Sequence, residues 1–121
     1  MSFKPWAFGL TALLHSAVLA GAAEGGVTIE GVARAASLMQ AIGEICAPFG
    51  ANAEEAEKFH KAFVDAGAEA YGPKFAAALA KEAARRRRET HAQGAGAWCA
   101  EQKTRQDEIG NTRLFAPEKG E

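Results

Sequence analysis

Apolar positions along the chain fall into four stretches of helical period, separated by glycine and proline. From 30 to 45, Val32, Ala35, Met39, Ile42 and Ile45 recur at spacings of three and four, which places them on one helix face. Cys46 follows, and Ala47-Pro48-Phe49-Gly50 breaks the pattern, because proline cannot continue a helix and restricts the residue before it. Asn52 predicts an N-cap: its side chain can accept from an orphan amide while Glu55 stands at the third helical position, as in a capping box. The second face is Ala56, Phe59, Phe63, Ala66 and Ala70, with Gly67 marking a close helix approach where a side chain would not fit. Tyr71-Gly72-Pro73 ends this helix and starts the next, since glycine takes a left-handed cap and proline suits a first turn. The third stretch, 73–93, puts Phe75 and Leu79 inward, continues weakly through Ala83 and Ala84, and is otherwise polar. Gly94-Ala95-Gly96 terminates it. A fourth helix over 97–109 carries Trp98, Cys99, Gln102 and Ile109, Gly110 ends it, and Leu114 with Phe115 form a short apolar latch.

The first 23 residues follow another plan. One cation, Lys4, precedes an apolar run of 14 residues from Ala7 to Ala20, and the small residues Ala20, Gly21, Ala22 and Ala23 come next. That is the layout of an export signal cut before Ala23 or Glu24. The run is short for a membrane span, which needs roughly 20 apolar residues, so no stable anchor is expected after processing. The expectation is therefore a signal peptide over 1–23, a helical domain over 24–115 and a frayed tail over 116–121. Periplasmic or secreted location follows from the same reading.

Composition makes a covalent tie valuable. Residues 24–121 hold 23 alanines but only 18 larger apolar residues, so helix is favoured while each burial event removes little surface. Cys46 and Cys99 are the only cysteines. In an oxidising compartment they are expected to pair, joining the first and fourth helices as the outer members of a small all-α, four-helix bundle-like domain.

Charge excludes more than it assigns. Over 24–121, 13 lysines and arginines face 15 aspartates and glutamates, a formal −2. Such a chain is not built to grip nucleic acid through a basic field. The run Arg85, Arg86, Arg87 and Arg88 is the conspicuous local feature. On a helix these four fan out by about 100° each, and Glu82 and Glu89 stand at pairing distance, so a solvated, internally paired face competes with contact to an anionic partner. Glu57 and His60 form one Glu-x-x-His pair, the spacing that carboxylate-bridged metal bundles use twice, and His91 is the remaining helical histidine. These three are weak metal candidates, and no metal or other cofactor is expected. Ser37 and Thr90 lack a nucleophile elbow, and Gly94-Ala95-Gly96 lacks the lysine and preceding strand of a phosphate loop. No catalytic motif is present in the sequence.

Two functional readings follow. The first is a non-enzymatic exported module with a protein partner, monomeric or weakly self-associated. In size, helical content and one long-range disulfide, the chain is similar to small periplasmic acid-stress chaperones. That outline resemblance, which no motif carries, implies a stress-related role. With every carboxylate protonated, 13 lysines and arginines plus two histidines give a formal +15 over 24–121, enough self-repulsion to loosen a thin core. The alternative is a metal or small-ligand binder with a pocket between the second and third helices, lined by Phe59, Phe63, Tyr71 and Phe75.

Overall fold

The computed structural model describes residues 27–115. The expected leader and tail lie outside the described residues. Four helices, α1 (Ile29–Ile45), α2 (Ala53–Tyr71), α3 (Lys74–Gln93) and α4 (Ala95–Glu108), are accompanied by two 3-10 turns, Ala47–Phe49 and Thr112–Phe115. The fold is all-helical, as the apolar periodicity predicts.

Local chemistry sets the boundaries. Thr28 caps α1, its hydroxyl accepting from Gly31 N at 2.9 Å, and Asn52 Oδ1 accepts from Glu55 N at 3.0 Å to open α2. Gly72 and Gly94 have φ of 65° and 91°, backbone shapes that side chains disfavour, so the α2–α3 and α3–α4 turns fall there. Because Gly94 alone makes the second break, α4 starts two residues earlier than the glycine pattern suggests, with Gly96 already helical.

The structure corrects the expected place of α1. It is the central helix, not an outer one, with α2 packed along one side and α3 along another. α2 runs antiparallel to it: Gly43 meets Ala56, and further along His60 reaches the Ala36 carbonyl. α3 runs in the same direction as α1, with Phe75 against Val32 and Ala36 at one end and Thr90 and His91 beside Ile45 at the other. Burial on two sides explains why Ala33, Ala36 and Ala41 join the predicted stripe of Val32, Met39 and Ile42 as core. A single-face reading cannot see the second contact, because alanine patterns weakly.

Two apolar clusters result. At the C-terminal end of α1, Met39, Ile42, Cys46, Trp98, Cys99 and Leu114 pack together. At its N-terminal end, Val32, Ala33, Ala36 and Phe75 do so, and Phe63 touches both groups. Gly67 is buried because the Phe75 ring lies on the α2 backbone there, the close approach its position predicts. Of the aromatics expected to line a pocket between the second and third helices, Phe75 is buried in the second cluster, while Phe59, Phe63 and Tyr71 are half-buried and pack against the clusters from outside.

Cys46 and Cys99 are bonded, with Cα atoms 5.6 Å apart, fastening the end of α1 to the start of α4. Ile109 departs from expectation: it is 68% exposed. The buried positions of α4 are Trp98, Cys99, Gln102 and Gln106, and the helix stops before this stripe reaches 109. Gly110 then reverses the chain, Asn111 N donates to the Gln106 carbonyl, and Leu114 and Phe115 take the core position instead. Asn52 N donates to the Leu114 carbonyl at 2.8 Å, closing the latch onto the start of α2. Among the described residues no helix is long and apolar enough to cross a membrane.

Candidate functional site

The polar half of α3 faces a cleft. α3 and α4 diverge from the Gly94 turn, and between them, over Arg34 and Leu38 of α1, lies a space of about 410 Å³. Arg85, Arg86, Glu89 and Gln93 line it from α3, and Trp98, Glu101, Gln102, Arg105 and Gln106 from α4. Three helices thus bring four guanidinium groups and two carboxylates to one half-open site.

The helical fan divides the arginine run. Arg85 and Arg86 point into the cleft, Arg87 lies beside Ile45, Thr90 and His91 on another face, and Arg88 is exposed to solvent. Arg85 stands 3.6 Å from Glu82 and 3.9 Å from Glu89. Arg86 donates to Glu89 at 3.1 Å and to the Arg34 carbonyl at 3.3 Å, which binds α3 to α1. The paired-face reading therefore holds for Arg85 and Arg86, although the pairing is incomplete.

Glu82 is the buried carboxylate of this network, 6% exposed. Its Oε1 lies 3.9 Å from Arg34 Nε and 3.6 Å from Arg85 Nε, ion-pair distances too long for hydrogen bonds. Glu82 Oε1, Arg85 Nε and Arg86 Nε are buried without a hydrogen-bond partner. The first two face each other as the ion pair at 3.6 Å.

On the opposite wall Gln93 donates to Glu101 at 2.8 Å across the mouth of the turn, and Arg105 pairs with the other carboxylate oxygen. The hydrogen bond from Gln93, then the hydrogen bond and charge of Arg105, hold the Glu101 carboxyl below the ordinary carboxylate range. Gln106 is fixed from behind, its side-chain oxygen accepting from Asn111 Nδ2 at 2.9 Å.

The metal candidates are not assembled. His60 Nδ1 is 3.0 Å from the Ala36 carbonyl, an α1–α2 tie that orients the ring. Glu57 and His60 flank a shallow hollow with Met39 and Glu44, whereas His91 sits on α3 beside Ile45. Among the described residues no group of three or more histidine, cysteine, aspartate or glutamate side chains is placed to hold a metal ion.

Sequence reading did not single out Arg34, Glu82, Gln102, Arg105 or Gln106 as one site. A signal was present: Glu82 continues the Phe75–Leu79 stripe, and Gln102 and Gln106 continue that of Trp98, so polar side chains occupy inward positions. Comparison with protein-family models, curated proteins and solved structures returned no match.

Proposed function

We propose that this chain is a non-enzymatic helical interaction module, exported to the periplasm or beyond the cell, which holds an anionic partner in the cleft between α3 and α4. The observation that supports this reading is the convergence of Arg34, Arg85, Arg86 and Arg105 from three helices on one space. Guanidinium groups present planar donor pairs that match oxyanions, and a partly enclosed cleft strengthens such contacts relative to open solvent. The disulfide and the buried clusters supply a fixed frame.

The test is capture from the exporting cell under oxidising conditions. Wild-type bait should retain a partner that Arg85→Gln/Arg86→Gln/Arg105→Gln bait loses, and raised salt should weaken retention. Equal recovery by both baits would remove the cleft from the account. Export is tested on the same material: the N-terminus should be Ala23 or Glu24 and the thiols protected from alkylation. An intact Met1 with alkylatable cysteines would end that part of the proposal.

A second reading, acid-responsive chaperoning, rests on the same charges. Glu82, Glu89 and Glu101 are the counter-charges to Arg34, Arg85, Arg86 and Arg105. Protonating these carboxylates leaves guanidinium facing guanidinium between α1, α3 and α4, and repulsion then favours separation. Suppression of client aggregation at about pH 2 to 3, with loss of near-ultraviolet circular dichroism, is the expected result. A domain that stays compact and inactive there overturns it.

A further inference from the structure

Resting on the cleft as the binding site, we infer that the anion it takes is a phosphoryl group, held between the terminal amino groups of Arg34 and Arg85. Pairing within the cleft leaves its excess charge at these two residues. Arg86 donates to Glu89 at 3.1 Å, and Arg105 is paired with Glu101. Arg34 and Arg85 share the buried Glu82, so one carboxylate stands against two guanidinium groups from different helices.

Geometry leaves the outer ends of the same two groups open. Both turn their Nε side to one atom, Glu82 Oε1, at 3.9 and 3.6 Å, which makes the two guanidinium groups neighbours and occupies the inward side of each. Arg85 Nη1 lies 3.9 Å from Glu89 Oε2, beyond hydrogen-bond reach. Among the described residues neither terminal pair of amino groups makes a hydrogen bond, and the two side chains are 50% and 40% exposed where they line the cleft. The number of donors selects the ligand. Each guanidinium offers a fork of parallel N–H bonds that fits a pair of oxygens. A carboxylate has two oxygens, whose outer edge matches one fork, whereas a phosphoryl group has three terminal oxygens and offers a pair to each of two forks. The space of about 410 Å³ is half-open, so it has room for an ester as well as for the free ion.

The probes are inorganic phosphate and glycerol phosphate, with acetate as the comparison, titrated into the oxidised protein at neutral pH and matched ionic strength and followed by NMR. Either phosphate should shift the Arg34 and Arg85 guanidinium signals saturably, at least about tenfold more tightly than acetate. Tighter binding of glycerol phosphate assigns the group to an ester, and tighter binding of inorganic phosphate to the free ion. Arg34→Gln should weaken phosphate binding by about tenfold or more, whereas Arg87→Gln/Arg88→Gln, outside the cleft, should leave it within about twofold. Arg34→Lys keeps the charge and removes the fork, so the preference for phosphate over acetate should fall to within about twofold. Because Arg34 is half-exposed and its loss leaves Arg85 with Glu82, these variants should keep the far-ultraviolet circular dichroism of the wild type. Acetate binding as tight as phosphate, or equal losses at Arg34 and at Arg87 with Arg88, would overturn the inference. If a cleft-dependent partner is captured from cells while neither phosphate shifts the arginine signals, the phosphoryl assignment fails and the interaction module survives. If no partner is captured and neither phosphate binds, both fail.

Discussion

Replacing Gly67 with alanine asks whether the second apolar cluster is closed by direct contact between the α2 backbone and an aromatic ring. By helix propensity alone the substitution favours the fold by about 0.8–1.0 kcal/mol. Sterically it does the reverse. A Cβ at Gly67 would lie 2.6 Å from Phe75 Cδ1, with two further ring atoms nearer still. Carbon atoms in contact sit about 3.5–4.0 Å apart, so the overlap is close to a full ångström. Phe75 is 3% exposed and held by Val32, Ala33 and Ala36, so its ring cannot turn aside without opening that cluster. Overpacking costs about 1–3 kcal/mol, and this overlap belongs at the upper end, leaving a net loss of about 1–2 kcal/mol after the propensity gain. The assay is urea unfolding of the oxidised protein, followed by far-ultraviolet circular dichroism. The same substitution in a Phe75→Leu background should become neutral or stabilising, giving a coupling of roughly 1–3 kcal/mol across the double-mutant cycle. A higher midpoint for Gly67→Ala in the wild-type background, or a cycle without coupling, refutes the reasoning.

Other outcomes follow from the same geometry. Cys46→Ala/Cys99→Ala opens a tie of sequence separation 53, and the chain-entropy model puts the loss at about 4 kcal/mol, readable as a lower urea midpoint. Asn52→Ala removes the acceptor for Glu55 N and should cost about 1 kcal/mol in the same assay, while Asn52→Asp retains the cap. Leu114→Ala should cost about 2–5 kcal/mol and Ile109→Ala less than about 0.5 kcal/mol, since the first is fully buried and the second exposed. Because the Glu101 carboxyl titrates below its ordinary value when folded, its stabilisation is complete above the unfolded-state pKa and is lost as pH falls through the lower folded value. Gln93→Ala should move the Glu101 titration upward by NMR, and an unmoved midpoint would show that the hydrogen bond from Gln93 is not its main cause.

Most of the fold was legible because its signals are local. Pro48, Asn52, Gly72 and Gly94 act within a turn of their own positions, and the observed helices begin and end beside them. The pairing of Cys46 with Cys99 followed from there being no other cysteine. What escaped depends on how elements meet. Ala33, Ala36 and Ala41 look like neutral helix filler until α3 is seen to lie on them. Ile109 carries an apolar signal that the early stop of α4 leaves in solvent. Of the cleft, the sequence offered Arg85 to Arg88 as a run; only the crossing of α1 and α4 shows that Arg85 and Arg86 belong to a shared site with Arg34 and Arg105.

Cys46 and Cys99 are 0% and 2% exposed, enclosed by Ile42, Trp98 and Leu114. Thiol–disulfide exchange needs an attacking thiolate to reach a sulfur along an open path. An oxidation catalyst must therefore act on a chain whose C-terminal quarter has not yet docked, and a reductant meets the bond only when that quarter lifts away. Once sealed, the link is a one-time assembly event whose lifetime equals that of the folded domain, not a switch that the surrounding redox potential can throw.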